Sequence, residues 1–568
     1  MKTAAWVLAI LALRPPGAAA QEKSPDRKLE GLAARCGTEI PWADSLAEAQ
    51  KRSRETGRPI AWWVPTLQNS PMDRKLVVEK YMLAGPFMMP GVVDLLSNRF
   101  VPLRLAGDAS HRKSYGLAPL EFIEPGFLFL TADLEVIHRA DRISTFSEEW
   151  FCHLLGGVLR RAGQEAKAGR AAPGPGRRAL AEGRPDPSLF DGDDSPEAGY
   201  FRGVALHLTG RDEEGRAEWK KIREGRWAWK AQAELARDGP FVRGFEIYES
   251  LPAGALKDLP SNTTLPVSEP DVPRAVRFLL QTQRGNGSWD DSNYNFGGDD
   301  SLPNVYMAGT ALAALAIREW GEPAASAGAL KRAEKYMRDE SRIAGNDTDE
   351  IVWAHAYRLL YFARVRDREM MARLVLKLGA QQDRGGAWGH EYLNPFVTAT
   401  VIHALEETRG AGAEVPAALV RRGAEALAST RNPKGVYSYG FPGRGADVRG
   451  GAGRMPLCEL GLFLAGRSRA EDVAAAVEES LRHQALLERV RKYDDHSDAF
   501  RNGGFFFWYD QHGRALAAAA AKSEGALGRQ REIVLAAAEI DGCWVDSHEL
   551  GRTYGTAMAL LTLRACRK

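Results

Sequence analysis

The sequence predicts a multidomain protein: an α/β domain, a short α-helical connector, and an all-α domain of about six helical hairpins. Three observations carry this. Between Cys36 and Gly163, short β-prone runs alternate with amphipathic helical ones, the pattern of a mixed α/β domain. Between 191 and 265, helical runs rich in small and aromatic residues flank Gly210-Arg211. From 271 to 568, a Gln-x-x-x-Gly-x-Trp string recurs between amphipathic and Ala-rich runs, and self-similarity of this kind marks a repeat architecture.

The 568 residues give a prior of about three to four domains. Lys plus Arg number 76 against 74 Asp plus Glu, a net charge of +2, so a nucleic-acid binder that tracks phosphates on a basic face is not expected. Five cysteines in so long a chain do not make a disulfide scaffold, and the odd count leaves at least one outside any pair. Residues 1–20 place Lys2 before an apolar run from Ala4 to Leu13 and end in Ala18-Ala19-Ala20. That is the layout of a secretory signal. No later stretch reaches about eighteen uninterrupted apolar residues, so the mature chain is expected to be extracytoplasmic, periplasmic or secreted, with no transmembrane segment once the signal is removed.

In the 36–163 domain, Trp42–Ala49 is an amphipathic helix and Arg58–Val64 a strand. A helix over Met72–Met82 and a strand over Asn98–Leu105 follow, then Gly126–Leu130, a turn at Ala132-Asp133, Glu135–Arg139, and a closing helix from Ser147. This order resembles the thioredoxin fold, with Glu124-Pro125-Gly126 in the place of that family's cis-proline segment. The family's Cys-x-x-Cys slot here reads Pro65-Thr66-Leu67-Gln68-Asn69-Ser70-Pro71-Met72-Asp73-Arg74. Without a thiolate and a resolving thiol there is no disulfide exchange. What remains is a docking surface for a protein partner, or a stable module. Residues 164–190, rich in Ala, Gly, Pro and Arg, have the composition of a linker, and 191–265 resembles one tetratricopeptide-type hairpin. Asp191, Asp193 and Asp194 read as a solvated turn, since the other ligands of a calcium loop are missing.

Gln283-Arg-Gly-Asn-Gly287-Ser-Trp289 and Gln382-Asp-Arg-Gly-Gly386-Ala-Trp388 share one spacing. Arg431 to Tyr437 around Gly435, and Ala538 to Trp544 around Gly542, are degenerate copies. The glycines are separated by 99, 49 and 107 residues, which fits two, one and two units of about fifty residues, hence six hairpins of which two lack the string. Ala308–Ile317 and Tyr554–Leu563 are Ala-rich enough for helices to approach closely.

The pattern resembles the QW repeats of squalene and oxidosqualene cyclases and of the related protein prenyltransferase β subunits. The resemblance implies an (α/α)6 toroid of inner and outer helices around a central ligand cavity. It also implies that Gln283, Gly287, Trp289, Gln382, Gly386, Trp388, Gly542 and Trp544 are structural clamps. Cyclases of the protonation type use D-x-D-D with the middle Asp as acid; the match here is Asp347-Thr348-Asp349-Glu350, which would make Asp349 the acid beside Asp347 and Glu350. The same residues also make an ordinary helix start. Asp494-Asp495-His496-Ser497-Asp498 fits the D-D-x-x-D of diphosphate-binding synthases, but no second acidic motif faces it. Asp541, Cys543 and His548 are too close together to ligate the zinc of a prenyltransferase without further ligands. No metal and no cofactor is implied.

Tyr306, Tyr392 and the run Phe505-Phe506-Phe507-Trp508-Tyr509 gather with Trp353, Tyr357 and Phe396 near the expected starts of inner helices. Trp353, Tyr357, Phe396, Trp508 and Tyr509 are the candidate walls of a pocket for a lipid or isoprenoid. Two functions stay open: a non-catalytic exported binding or scaffold protein, or a terpenoid cyclase using Asp349 as Brønsted acid.

Overall fold

The computed structural model describes residues 28–68, 76–165, 173–236, 239, 244–252, 254–294, 302–441, 447–493 and 504–567. The signal expected at 1–20, the acidic string 494–498 and positions 69–74 of the cysteine-free slot lie outside them. The described chain is mostly helical, with one small four-stranded sheet.

Strands β1 (Ile60–Val64), β2 (Val101–Arg104), β3 (Gly126–Leu130) and β4 (Val136–Ala140) lie in the order β2-β1-β3-β4. β1 runs parallel to β2 and antiparallel to β3, and β3 antiparallel to β4. The Glu124-Pro125 bond is cis. Successive side chains of a strand face opposite sides, so Ile60, Trp62 and Val64 pack with Ala49 and Leu128, while Ala61 and Trp63 pack with Val92, Phe127 and Trp150. Both faces are covered, which is why β1 reads as an unbroken apolar run. The covering helices are α1 (Leu46–Thr56), α2 (Leu76–Ala84), α3 (Pro90–Arg99), α4 (Ala109–Tyr115) and α5 (Glu148–Arg161). Sequence periodicity misses two of them. α3 hides behind a proline at its first position, and α4 buries no side chain and is held by the Asp108–His111 capping box.

The 164–190 stretch is more than a linker. It contains α6 (Pro175–Ala181) and a 3-10 turn at Pro187–Phe190, because Leu180 and Phe190 have core to bury into and Gly176 lies flat against the Phe190 ring. Then come α7 (Pro196–Leu208), α8 (Asp212–Lys221) and α9 (Gly225–Ala236). α7 and α8 form a hairpin in which the Trp219 indole donates to the Tyr200 carbonyl and sits over Gly203.

Six helix pairs follow. The outer members are α10 (Val272–Thr282), α12 (Pro323–Arg338), α14 (Arg368–Gln381), α16 (Ala417–Ser429), α19 (Ala470–Arg482) and α22 (Glu524–Ala536). The inner members are α11 (Leu302–Trp320), α13 (Ile351–Val365), α15 (Pro395–Gly410), α18 (Met455–Leu464), α21 (Phe507–Ala520) and α23 (Gly551–Ala565). Short helices α17 (Val448–Gly451) and α20 (Gln484–Glu488) and a two-stranded ribbon, β5 (Gly389–His390) with β6 (Tyr392–Leu393), occupy connections. Each inner helix packs on the next, and α23 returns to α11, so the inner helices close a ring.

The recurrent turns hold this ring together. The indoles of Trp289, Trp388 and Trp544 donate to the carbonyls of Leu279, Leu378 and Val534, near the ends of the preceding outer helices, at 2.8, 2.7 and 2.8 Å. Their backbone N–H groups donate to Thr310, Thr398 and Thr556 of the following inner helices. Gln283 and Gln382 each donate to the carbonyl of the turn glycine and to a carbonyl of the next outer helix, Ala329 or Leu419. At the Gly435 copy, Arg431 and the Tyr437 hydroxyl converge instead on buried Glu459. The second and fifth connections lack the Gln–x–x–x–Gly–x–Trp string in sequence.

The three parts meet at a carboxylate shut off from solvent. Glu539 Oε2 accepts from Ser144 of the sheet domain, Thr263 of the connector and Lys492 of the ring, each at 2.8 Å. Burial pulls the Lys492 ammonium down to about 8 although Glu539 opposes it. The hydrophobic core of the sheet domain continues into Val490, Tyr493 and Ile540 of the ring. Among the described residues no helix is long and apolar enough to cross a membrane. Cys36, Cys458, Cys543 and Cys566 are free thiols.

Two substitutions test this packing. Gly287 has φ +97°, and an added Cβ would stand 2.3 Å from the Arg332 carbonyl oxygen; Gly287→Ala is expected to cost about 2–4 kcal/mol in denaturant unfolding. Glu539→Gln strands Lys492 and is expected to cost about 3–5 kcal/mol, most of it regained in Glu539→Leu with Lys492→Met. An unchanged midpoint for either single variant would contradict the packing described.

Candidate functional site

The ring encloses a cavity at the N-terminal ends of its inner helices. Its free volume is about 70 Å³, and its walls include Trp289, Tyr294, Tyr306, Trp353, Tyr357, Phe505, Phe506, Tyr509 and Tyr554. Tyr357, Tyr509 and Leu312 form a floor, and beyond it lies a second space of about 30 Å³ lined mainly by leucines with His403 and His512. The first connection, which keeps its turn, brings Trp289, Asp291, Ser292 and Tyr294 to the cavity, while the second adds Glu350 and the fifth Phe505 and Phe506.

The start of α13 sets the charge. Asp347 accepts from the backbone N–H groups of Asp349 and Glu350 and from the Asn304 amide of α11, which closes the turn that leads into α13. Asp349 stays half-exposed and is not part of the cavity wall; burial and the Asp347 charge raise its carboxyl above the usual range. The carboxylate that α13 brings to the cavity is Glu350, 3% exposed, which joins Asp291 of the first connection in the wall. One turn further on, Trp353 and Tyr357 stack at 5.9 Å on the same helix face.

Glu350 meets His390. Its Oε1 lies 3.1 Å from His390 Nδ1, while His390 Nε2 lies 3.1 Å from Glu391 Oε1 and 3.3 Å from the Tyr294 hydroxyl. The β5–β6 ribbon aims the imidazole; the Asn394 side chain accepts from its backbone N–H, and Glu391 turns the ribbon in the left-handed region at φ +61°. Burial disfavours the imidazolium, but Glu350 and Glu391 override it and hold the pKa up at about 10. Burial also raises the Glu350 carboxyl, against the pull of His390.

The repeat explains why this pair is unusual. The residue two positions after each clamp tryptophan reaches back to the start of the preceding inner helix. Asp291 accepts from Arg552 and Thr553 N–H at the start of α23, and Asp546 accepts from Trp508 N–H at the start of α21. Anions belong at helix N-termini. At the Trp388 copy the equivalent residue is His390, a cation at the start of α13, and Glu350 supplies the missing negative charge.

The structure brings Trp353, Tyr357 and Tyr509 into the cavity. It leaves Phe396 behind the Phe505 ring at 4.6 Å, and turns Trp508 away so that its indole donates to the Val545 carbonyl. Five consecutive aromatics cannot share one face of a helix start, so Phe507 and Trp508 pack outward into the ring while their neighbours line the space. Tyr392 is 50% exposed at the ribbon tip. Gln283, Gly287, Trp289, Gln382, Gly386, Trp388, Gly542 and Trp544 stand in the turns between helices. Sequence reasoning missed His390, Glu391, Tyr294 and Asp291. The signal was present: an ionisable residue two positions after all three tryptophans. Among the described residues no group of three or more His, Cys, Asp and Glu side chains is placed to hold a metal ion.

No protein-family model and no curated protein matches the chain. Among solved structures it has a likeness to a type II terpene cyclase from Scytonema in complex with geranylgeranyl dihydroxybenzoate, at 14% identity and a TM-score of 0.34, over 52% of this chain and 96% of that one.

Because the folded-state pKa of His390 lies above its usual 6.5, its pairing stabilises the fold fully below about pH 6.5 and loses that contribution as pH rises through about 10. Glu350→Gln removes one of the two anions and leaves burial less opposed. NMR titration of the imidazole should place the His390 pKa lower by about two pH units. A pKa that stays near 10 in this variant would contradict the assignment of Glu350 as its main partner.

Proposed function

We propose that the chain is an exported, non-catalytic binding or scaffold protein whose ring cavity takes a lipid or isoprenoid. The observation that carries this reading is an aromatic-walled cavity whose one glutamate is already committed to an ion pair. A cyclase acid must hold a proton over the reacting double bond in a dry site. Asp349 is half-exposed and outside the wall, so the geometry does not support it in that role. Glu350, which does enter, is paired with the His390 imidazolium, which pulls against the burial that raises its carboxyl. A free volume of about 70 Å³ is also small beside the roughly 300–1,000 Å³ of ordinary ligand sites, so an extended polyprenoid enters only if the Tyr357–Tyr509 floor gives way.

The N-terminal domain fits the same reading as a thioredoxin-like module without redox chemistry. Its support is the β2-β1-β3-β4 order and a turn after β1 held by the Glu124 carboxylate on Leu67 N–H at 2.8 Å, with no cysteine in Pro65–Arg74. Export rests on the 1–20 sequence. The remaining cyclase reading moves the acid from Asp349 to Glu350, a carboxylate in the cavity wall.

Incubation with squalene and with geranylgeraniol, followed by chromatography of the extracted lipid, separates the two. The binding reading predicts saturable quenching of tryptophan fluorescence, reduced at least tenfold in affinity by Tyr357→Trp, and substrate recovered unchanged. A cyclised product that disappears in Glu350→Gln would overturn it in favour of catalysis.

A further inference from the structure

The ring cavity carries more charge chemistry than a pocket for a neutral hydrocarbon requires. Its wall is a contiguous aromatic cluster: Trp353 stacks on Tyr357 and on Phe505, each at 5.9 Å, and meets Tyr509 edge-on at 5.7 Å, while Phe506 stands edge-on to Tyr294 at 5.7 Å, and all six line the space. The electron-rich faces of such rings attract a cation, most strongly where water is excluded. A neutral isoprenoid gains from the same rings only through area and dispersion.

Charge in and around the cavity points the same way. Glu350 lines it, and Glu391, Asp347 and Asp349 all lie close enough to act on one another or on Glu350. Against these four carboxylates stands one imidazolium, His390, flanked by two of them. The surroundings therefore keep an excess of negative charge beside an aromatic box. A primary ammonium would demand three hydrogen-bond acceptors in place of its water. The wall offers them at few points, because most of its lining is aromatic or aliphatic and its charged acceptors are Glu350 and Asp291. A methylated ammonium has no N–H to satisfy and presents an apolar surface that carries positive charge.

We propose that the cavity binds a quaternary ammonium group, with Trp353, Tyr357, Phe505 and Tyr509 as the box and Glu350 as counter-charge. This rests on the ligand-binding reading above and names the chemistry of the ligand's head. The group has two sources, a small soluble trimethylammonium compound or the headgroup of a choline lipid whose chain would pass the Tyr357–Tyr509 floor into the leucine-lined space.

Isothermal titration of the full chain with choline, with tetramethylammonium and with 3,3-dimethylbutan-1-ol, the neutral isostere of choline, tests it. The two cations are expected to bind at least tenfold tighter than the alcohol. Trp353→Leu should weaken choline by about 30-fold, the size of one desolvated cation–aromatic contact. Glu350→Gln, which keeps the side-chain volume, should weaken choline and leave the alcohol unchanged, and so serves if Trp353→Leu fails to fold. A short-chain phosphatidylcholine below its micellar concentration decides the source: binding more than tenfold tighter than choline assigns the head to a lipid, and equal or weaker binding assigns it to a soluble compound. Equal affinity for choline and the alcohol overturns the quaternary ammonium and leaves the apolar binding reading intact. Absence of binding by all of these ligands and by the isoprenoids overturns both.

Discussion

Three indole N–H groups, each bonded to a carbonyl ten residues earlier, are the constraint on which the ring depends. A helix end leaves carbonyls without partners, and an outer helix that turns inward would bury some of them. Trp289, Trp388 and Trp544 satisfy one apiece and at the same time fill the gap between outer and inner helices. The threonine of the next inner helix fixes the tryptophan backbone, and the glycine lets the turn lie against the neighbouring outer helix. Each turn therefore ties three helices.

Departures from the repeat are where chemistry and assembly enter. The sixth turn has Ala538 in place of glutamine and puts Glu539 beside it, and Glu539 becomes the junction of all three parts of the chain. The second and fifth connections lack the Gln–Gly–Trp string and add Glu350, Phe505 and Phe506 to a cavity that the first connection also lines. The third keeps its clamp but replaces the aspartate of its siblings with His390, which reverses the charge at the start of α13 and requires Glu350. A repeat protein gains a site by giving up regularity at chosen positions, while neighbouring copies keep the frame rigid.

Much of the helical half was legible because its period is carried by residues with distinctive physical roles. Glycine at a left-handed backbone position and tryptophan as a buried donor tolerate few replacements, so two good copies and two worn ones sufficed to count six hairpins. The strands were legible for a plainer reason: β1 and β3 are buried on both faces and read as short apolar runs. What could not be read was polar or shielded. α4 has no apolar stripe, α6 sits in linker-like composition, and Asp349 and Glu350 are neighbours whose different directions depend on the turn that Asp347 closes before α13. His390 reaches Glu350, forty residues away in sequence, only because the hairpins that carry α13 and α15 pack side by side.

Native mass spectrometry of the mature protein, purified from its own host without detergent exchange, tests the central claim that the ring cavity is an occupied binding site. The account predicts a stoichiometric mass increment that survives gentle activation in the wild-type chain and is lost in Trp353→Leu. A bare polypeptide mass at every activation energy, from protein that is fully folded and unchanged by the substitution, would contradict it and leave the cavity as a by-product of ring packing.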